Sequence, residues 1–230
     1  MNNYEQKYNF ITQQQQMLLD WLEYCYIQDP NYHFSSVSSI YYDTPTLDLY
    51  WEKRNGDYLK SKVRLRWYAK LQELEPNQDV KCYLEVKRKY GAIRNKERLE
   101  LNISAKQLLV NPFEDDEIIS FPSMAYELEY FPQGLLVPTL LIQYERYRFI
   151  DPKSSYRIAL DINICCKCAN EKYIPGIPPI FLSVGVLEIK GEHQEMLNSL
   201  TPIADHLTKM SFSKYGRCCE SLMQPFELRV

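Results

Sequence analysis

The sequence predicts an α+β protein: a closed antiparallel β-barrel with helices covering it at the N-terminal and C-terminal ends. Three observations lead there. First, short runs alternate strictly between apolar and charged residues, as in SKVRLRWYAK (61–70), and a period of two is the mark of a strand. Second, these runs are separated mostly by turns rather than by regular crossover helices, which favours antiparallel pairing. Third, the charged face is repeatedly Lys and Arg with a few Glu, where a solvated strand usually mixes Ser, Thr, Gln and both charge signs.

The elements follow in order along the chain. YEQKY (4–8) reads as a first strand. ITQQQQMLLDWLEYC (11–25) reads as a helix, with Thr12 and Gln15 spaced as a capping box and an apolar stripe of Leu18, Leu19 and Leu22 joined by Trp21. DPNYH (29–33) is a break. Strands are expected at 35–44, 61–70, 81–90 and 92–101, with turns at ELEPNQD (73–79) and KYGAI. Residues 104–131 read as helical in parts, with an acidic solvated face. Strands resume at 140–150, 156–164 and 181–191, separated from one another by loops such as IPGIPP (174–179). Helices are expected over 192–210, interrupted at Pro202, and over 214–223. No linker divides the chain, so residues 1–230 read as a single domain.

Composition bounds the function. The chain has 230 residues, 45% of them apolar, and a formal net charge of -3, which gives no support for nucleic-acid or anionic-membrane binding. Any cationic site must be local. No signal peptide is visible, and the longest apolar stretch, GLLVPTLLI (134–142), holds a proline and is far too short to span a bilayer. Seven Cys, an odd number, with no secretory signal suggest reduced thiols and a cytoplasmic protein. CCKCAN and RCCE lack the paired spacing of a structural zinc site. His33, His193 and His206 are scattered and match no catalytic pairing.

The charged positions share one side of each strand. They are Lys62, Arg64 and Arg66; then Glu85, Lys87 and Lys89; then Lys96 and Arg98; then Arg146 and Arg148; then Arg157 and Asp161; then Glu188 and Lys190. The opposite sides carry Val63, Leu65, Leu84, Val86, Ile158, Leu160, Leu187 and Ile189. A sheet with one face in the core and one in water is the simple explanation for any single strand. For all of them together, repulsion weighs against it. Like charges 4 Å apart repel by roughly 1 kcal/mol in water and several times that near low-dielectric walls. An enclosed channel filled by a chained phosphate removes the difficulty, because Arg forks match phosphate oxygens and Lys supplies point charge. The Glu residues would then suit Mg²⁺ or Mn²⁺, which combine carboxylates with phosphate oxygens.

The succession YEQKY, IYYDT, KVRLR, LEVK, KERLEL, YERYRF, YRIALDINI, LEIK and SFSKY resembles the polyphosphate-polymerase (VTC) domain of the CYTH-like triphosphate-tunnel superfamily. The resemblance runs from Glu5 to Tyr215. It implies an eight-stranded antiparallel tunnel and metal-dependent phosphoryl transfer, with ATP and polyphosphate or triphosphate as ligands. The activity it implies is an ATP-dependent polyphosphate polymerase. A triphosphatase of the same fold and a non-catalytic polyphosphate binder are the alternatives. By the same resemblance Lys62, Arg64, Arg66, Lys87, Arg146 and Glu188 would be catalytic. Lys7, Lys96, Arg98, Arg157, Lys190 and Lys214 would bind phosphate, with Ser213 and Tyr215 placing Lys214. Glu188 would hold Mn²⁺ or Mg²⁺, supported by Glu5 and Glu85. The wider superfamily often opens with Glu-x-Glu-x-Lys, and Asn3 stands here in place of the first carboxylate. A free-standing catalytic unit and a subunit of a membrane-associated assembly both fit. GxxxxGK-type phosphate loops are absent, which argues against a P-loop kinase.

Overall fold

A computed structural model describes residues 4–227 apart from 92, 155 and 193–195, and only the backbone of 225–227. Asn3 and His193 therefore lie outside the described residues. In chain order the elements are β1 (Tyr4–Ile11), α1 (Gln15–Cys25), β2 (Ile27–Gln28), β3 (Phe34–Asp43), α2 (Asp48–Asn55), β4 (Leu59–Trp67), β5 (Asp79–Tyr90) and β6 (Ile93–Ser104). They continue with α3 (Ala105–Leu109), α4 (Asp116–Ser120), β7 (Val137–Ile150), β8 (Arg157–Ala169), β9 (Ile180–Phe181), β10 (Val184–Gly191), β11 (Thr208–Lys209) and α5 (Lys214–Glu227). Tight 3-10 turns cover Thr12–Gln14, Leu71–Glu73, Phe121–Leu128 and Asn198–His206.

The strands hydrogen-bond in the order β11-β1-β10-β8-β7-β3-β4-β5-β6, with β2 on β7 and β9 on β8. This corrects the expected closed eight-stranded barrel: the sheet has eleven strands, and among the described residues its two end strands are not paired with each other. The end strands explain why. β11 is two residues long. β6 carries charge on both sides, with Arg94, Lys96, Arg98 and Glu100 on one and Glu97 on the other, and only Ile103 is buried along it. A long edge strand studded with charge resists further pairing.

The chain divides into two compact units. Unit 1 comprises residues 1–36, 144–164 and 181–213. Its β1 pairs with β10 so that Tyr8 faces Leu187 and Gln6 faces Ile189, and β10 pairs with β8 so that Leu187 faces Leu160. Tyr8, Phe10, Leu160, Leu187 and Ile189 form one apolar face, with the buried Gln6 at its margin. Leu18 and Leu22 of α1, with Leu200 and Ile203 of the 3-10 turn, pack onto it and are themselves buried. The α1 stripe is thus the expected one. Its start is not: Thr12 and Gln15 form no capping box. Residues 12–14 tighten into the 3-10 turn, and the helix begins after Gln14 with no side-chain cap. Near Pro202, in place of an α-helix, the 198–206 segment stays 3-10.

Unit 2 comprises residues 37–143, 165–180 and 214–230. Val63, Leu65 and Trp67, the apolar positions of SKVRLRWYAK, are each fully buried. They pack with Leu84, Val86 and Ile103, and with Leu108, Ile118, Phe121 and Ala125 from the segment 105–128. The apolar face of this unit is therefore covered by internal helices, a second correction to the expected covering by terminal helices alone. α2 was not expected. Its signals were local: Asp48 in the first turn, Lys53 and Arg54 in the last, and Gly56 at φ 81° closing it. Asp43, at the end of β3, accepts the N–H groups of Leu49 and Tyr50 at 2.8 and 2.9 Å and so caps the first turn of α2 from outside the helix.

Gly185 faces Phe10 across β1 and β10, and a Cβ there would meet Phe10 Cζ at 2.2 Å and the Asp161 carbonyl at 2.9 Å. Gly185→Val should overpack this site and cost about 1–3 kcal/mol, read as a lower urea midpoint with an unchanged slope.

Candidate functional site

In unit 2 the register aligns the charges in rows. Lys62 faces Lys87, and Lys87 faces Lys96. In the neighbouring row Tyr41 faces Arg64, Arg64 faces Glu85 and Glu85 faces Arg98. Part of this face is withdrawn from water, with Glu85 2% exposed and Arg66 6%, while Lys96 and Arg98 stay exposed. Glu85 is the hub. Arg64 donates from Nε and Nη2 to its Oε2 at 2.8 and 2.6 Å, Lys96 Nζ lies 2.5 Å from Oε1, and Arg66 Nη1 lies 3.6 Å from Oε2. Burial by itself would raise the Glu85 carboxyl; Arg64, Arg66 and Lys96 outweigh it and hold the group well below the usual carboxylate range. Lys96 is lowered, because burial and the repulsion of Arg64 and Arg66 exceed the attraction of Glu85.

The arginines are steered by neighbours. Arg64 Nη1 donates to the Tyr41 hydroxyl at 3.2 Å. Tyr41 stacks on Tyr215, ring centroids 5.1 Å apart, and the Tyr215 hydroxyl donates to Asp43 Oδ2 at 2.8 Å. Burial pushes the Tyr215 phenol well above its ordinary value, so it remains a donor. Arg66 Nε donates to Ser39 Oγ at 3.3 Å, and Arg98 lies over the Tyr83 ring at 4.8 Å. Lys214 opens α5 in this unit, next to Tyr215. Tyr41 and Tyr215 as supports of Arg64 were missed in the sequence, because stacking between residues so far apart leaves no local pattern.

In unit 1 a second cluster forms. Lys7 faces Glu188 and Glu5 faces Lys190; Lys190 in turn faces Arg157. The Lys7 ammonium lies 3.0 Å from Glu5 and 3.3 Å from Glu188, while Lys190 lies 2.9 Å from Glu188. Arg146 grips the fully buried Asp161 with two bonds of 2.5 and 2.7 Å. Burial would raise Glu188, but Lys7, Arg146 and Lys190 hold it well below the usual range. Burial would lower Lys7, and Glu188 and Glu5 raise it instead. Arg148 turns elsewhere, donating to the Tyr32 carbonyl and the Ser35 hydroxyl, both at 2.9 Å.

The residues singled out by sequence thus assemble as two sets. Lys62, Arg64, Arg66, Glu85, Lys87, Lys96 and Arg98 share a face of unit 2. Glu5, Lys7, Arg146, Arg157, Glu188 and Lys190 come from the charged side of unit 1. The three carboxylates assigned to a metal divide accordingly, Glu5 and Glu188 in unit 1 and Glu85 in unit 2. Among the described residues no group of three or more His, Cys, Asp or Glu side chains is placed to hold a metal ion. The Glu5–Glu188 pair suits a divalent ion in one respect: both carboxylates converge on a single cation, Lys7, and Mg²⁺ or Mn²⁺ needs only one or two carboxylates when phosphate oxygens complete its shell. All seven cysteines are free thiols, and the Cys166 and Cys218 thiols are hydrogen-bonded to each other. Among the described residues no helix is long and apolar enough to cross a membrane.

Fold and site together define an α+β protein whose sheet presents clustered cations around buried carboxylates. The VTC domain model matches residues 2–223, and the chain belongs to that family. Among solved structures it is similar to a candidate adenylate cyclase of Bacillus halodurans at 13% identity and TM-score 0.49, covering 98% of this chain and 99% of that one. A candidate adenylate cyclase of Vibrio parahaemolyticus matches at 14% identity and TM-score 0.40, covering 99% and 90%. The Schizosaccharomyces pombe Mediator head module matches at 11% identity and TM-score 0.41, covering 98% and 96%. At these values the likenesses say nothing about what this chain does. No curated protein sequence matches it.

Glu85 and Glu188 carry a pH signature. Both have folded pKa values below the unfolded one, so their stabilisation is present above about pH 4.3 and is lost as pH falls below it toward their folded values. The urea midpoint should therefore drop steeply below about pH 4. Glu85→Gln should flatten that drop and cost about 2–3 kcal/mol at pH 7, less than a fully buried broken pair, because Lys96 is partly exposed.

Proposed function

We propose that this chain is a metal-dependent phosphotransferase acting on phosphate chains, specifically an ATP-dependent polyphosphate polymerase. The observation that carries it is the lysine row Lys62–Lys87–Lys96 beside the Arg64–Glu85–Arg98 row. Side chains directly opposite one another in an antiparallel pair sit about 5 Å apart, where like charges destabilise. Glu85 offsets part of that repulsion at Lys96, and an anion lying along the row would offset more. A chain of phosphates supplies dense negative charge along such a row, and membership of the VTC family supports the same ligand class.

Each set of residues has a role in this scheme. Lys62, Lys87, Lys96 and Arg98 bind phosphate oxygens as point charges and forks, while Arg64 and Arg66 are aimed by Glu85, Tyr41 and Ser39. In unit 1 Lys7, Arg146, Arg157 and Lys190 supply positive charge, and Lys214 adds to the unit 2 set. Glu188 and Glu5 are the residues that would hold Mg²⁺ or Mn²⁺. When bound, such an ion neutralises charge on the phosphoryl oxygens. No covalent intermediate on the protein is needed. Its cations hold donor and acceptor in line and stabilise charge spread over the transferring group.

Incubation with ATP and Mn²⁺, followed by sizing of products, tests the reaction: a ladder of polyphosphate is expected. Release of ADP and single phosphates alone would identify a triphosphatase, and binding without turnover a carrier. Glu188→Gln should abolish metal-dependent turnover; unchanged activity would remove its assigned role. Arg64→Ala with Arg66→Ala should weaken tripolyphosphate binding by roughly tenfold or more, measured by calorimetry.

A further inference from the structure

Within unit 2 a cavity of about 740 Å³ opens beside the start of β4 and the end of β5. It lies on the apolar side of the sheet, not on the side of the Lys62–Lys87 row. Leu59 and Ser61, which line it, alternate with Lys60 and Lys62 and share the side of the buried Val63. Tyr90, also in the lining, faces Leu59 across the two strands. Leu49, Tyr130 and Leu136 of the buried core line it as well. Its volume is in the range of small-molecule sites.

Two features set its chemistry. The first is negative charge. Asp48 and Glu52 stand one turn apart on α2, where like charges destabilise a helix, and Asp57 follows two residues after the helix ends. The Ser61 N–H donates to Glu52 Oε2 at 2.7 Å and fixes that carboxylate in the wall. Burial raises the Glu52 carboxyl, the Ser61 N–H lowers it, and Asp43, Asp57 and Asp48 raise it further by repulsion. Lys60 and Lys89 are in the lining too; by alternation both belong to the charged side, and three carboxylates still exceed two ammonium groups.

The second feature is aromatic surface. Trp51, Tyr58, Tyr90 and Phe131 all line the cavity and all are exposed, Tyr58 at 71% and Phe131 at 77%. The Tyr58 ring has a fixed seat. It lies against Gly91, whose φ is +58° and where a Cβ would come within 2.6 Å of Tyr58 Cε2. Only glycine leaves room for the ring there. Trp51 already has a cation over its ring, with the Arg54 guanidinium 5.8 Å from the centroid. Carboxylates repel an anion, and a neutral ligand leaves the repulsion among them unrelieved. A cation with an apolar body satisfies both walls.

We propose that this cavity binds a free organic cation, its ammonium or guanidinium head on Glu52 and Asp57 and its aliphatic stem against the rings of Tyr58 and Phe131. The site lies on the opposite side of the sheet from the proposed phosphate row and stands whether or not that row binds phosphate.

Calorimetric titration with agmatine, which joins a guanidinium and an ammonium by a short aliphatic stem, tests it, with butanediol as the neutral control. Glu52→Gln keeps an acceptor for the Ser61 N–H but removes the charge, and it should weaken agmatine binding about tenfold. Tyr58→Ala and Phe131→Ala, at exposed side chains, should each weaken it about threefold or more. Asp116→Asn, at an exposed carboxylate of the same unit outside the cavity, should leave it unchanged. A blocked pentapeptide with a central arginine should bind more weakly than agmatine. The site is overturned if the wild type binds no agmatine, if butanediol binds equally well, or if Glu52→Gln loses no more affinity than Asp116→Asn. Tighter binding of the peptide would assign the cavity to a protein partner and overturn the small-molecule ligand.

Discussion

A carboxylate buried among cations holds each charged face in place. In unit 2 it is Glu85, bonded to Arg64 and Lys96 with Arg66 close by; in unit 1 it is Glu188, shared by Lys7 and Lys190. The pleat forces alternate side chains onto one side, so every strand with this pattern adds charge to the same surface. Without the carboxylates the arginines would repel one another beside an apolar layer. With them, each guanidinium keeps a fixed direction on the charged face.

The same arrangement explains why the sheet has no need to close. Closure was expected from the repulsion among Lys62, Arg64 and Arg66, counted as if their own face offered little to oppose it. The register opposes Arg64 with Glu85, and Lys96 reaches the same carboxylate, so part of that repulsion is neutralised within the face. At the other limit, β6 ends the strand order with charge on both sides. Such an edge is kept in water more cheaply than it is paired.

Support for the arginines reaches far along the chain. Asp43 caps α2 and accepts the Tyr215 hydroxyl; Tyr215 stacks on Tyr41; Tyr41 accepts from Arg64. The α2 cap and the Arg64 guanidinium are thereby coupled through two rings. Thr139 joins the set by donating to the Tyr41 carbonyl at 2.9 Å. Each of these residues, taken singly, reads as ordinary packing.

What the sequence determined by itself was the division of each strand. Alternation of period two sorted Val63, Leu65 and Trp67 into the core and Lys62, Arg64 and Arg66 onto the opposite face, because a strand has only two sides and burial separates them by roughly 25 cal/mol per Å² of apolar surface. It also placed most strands, the α1 stripe and the family likeness. Tertiary structure decided everything that depends on which strand lies beside which: the opposition of Arg64 and Glu85, the distribution of the three candidate metal carboxylates over two units, the helices that cover each core, and the open strand order. Those outcomes turn on hydrogen-bonded register and on long-range packing, where a shift of one residue would exchange the faces and where no local pattern records the partner.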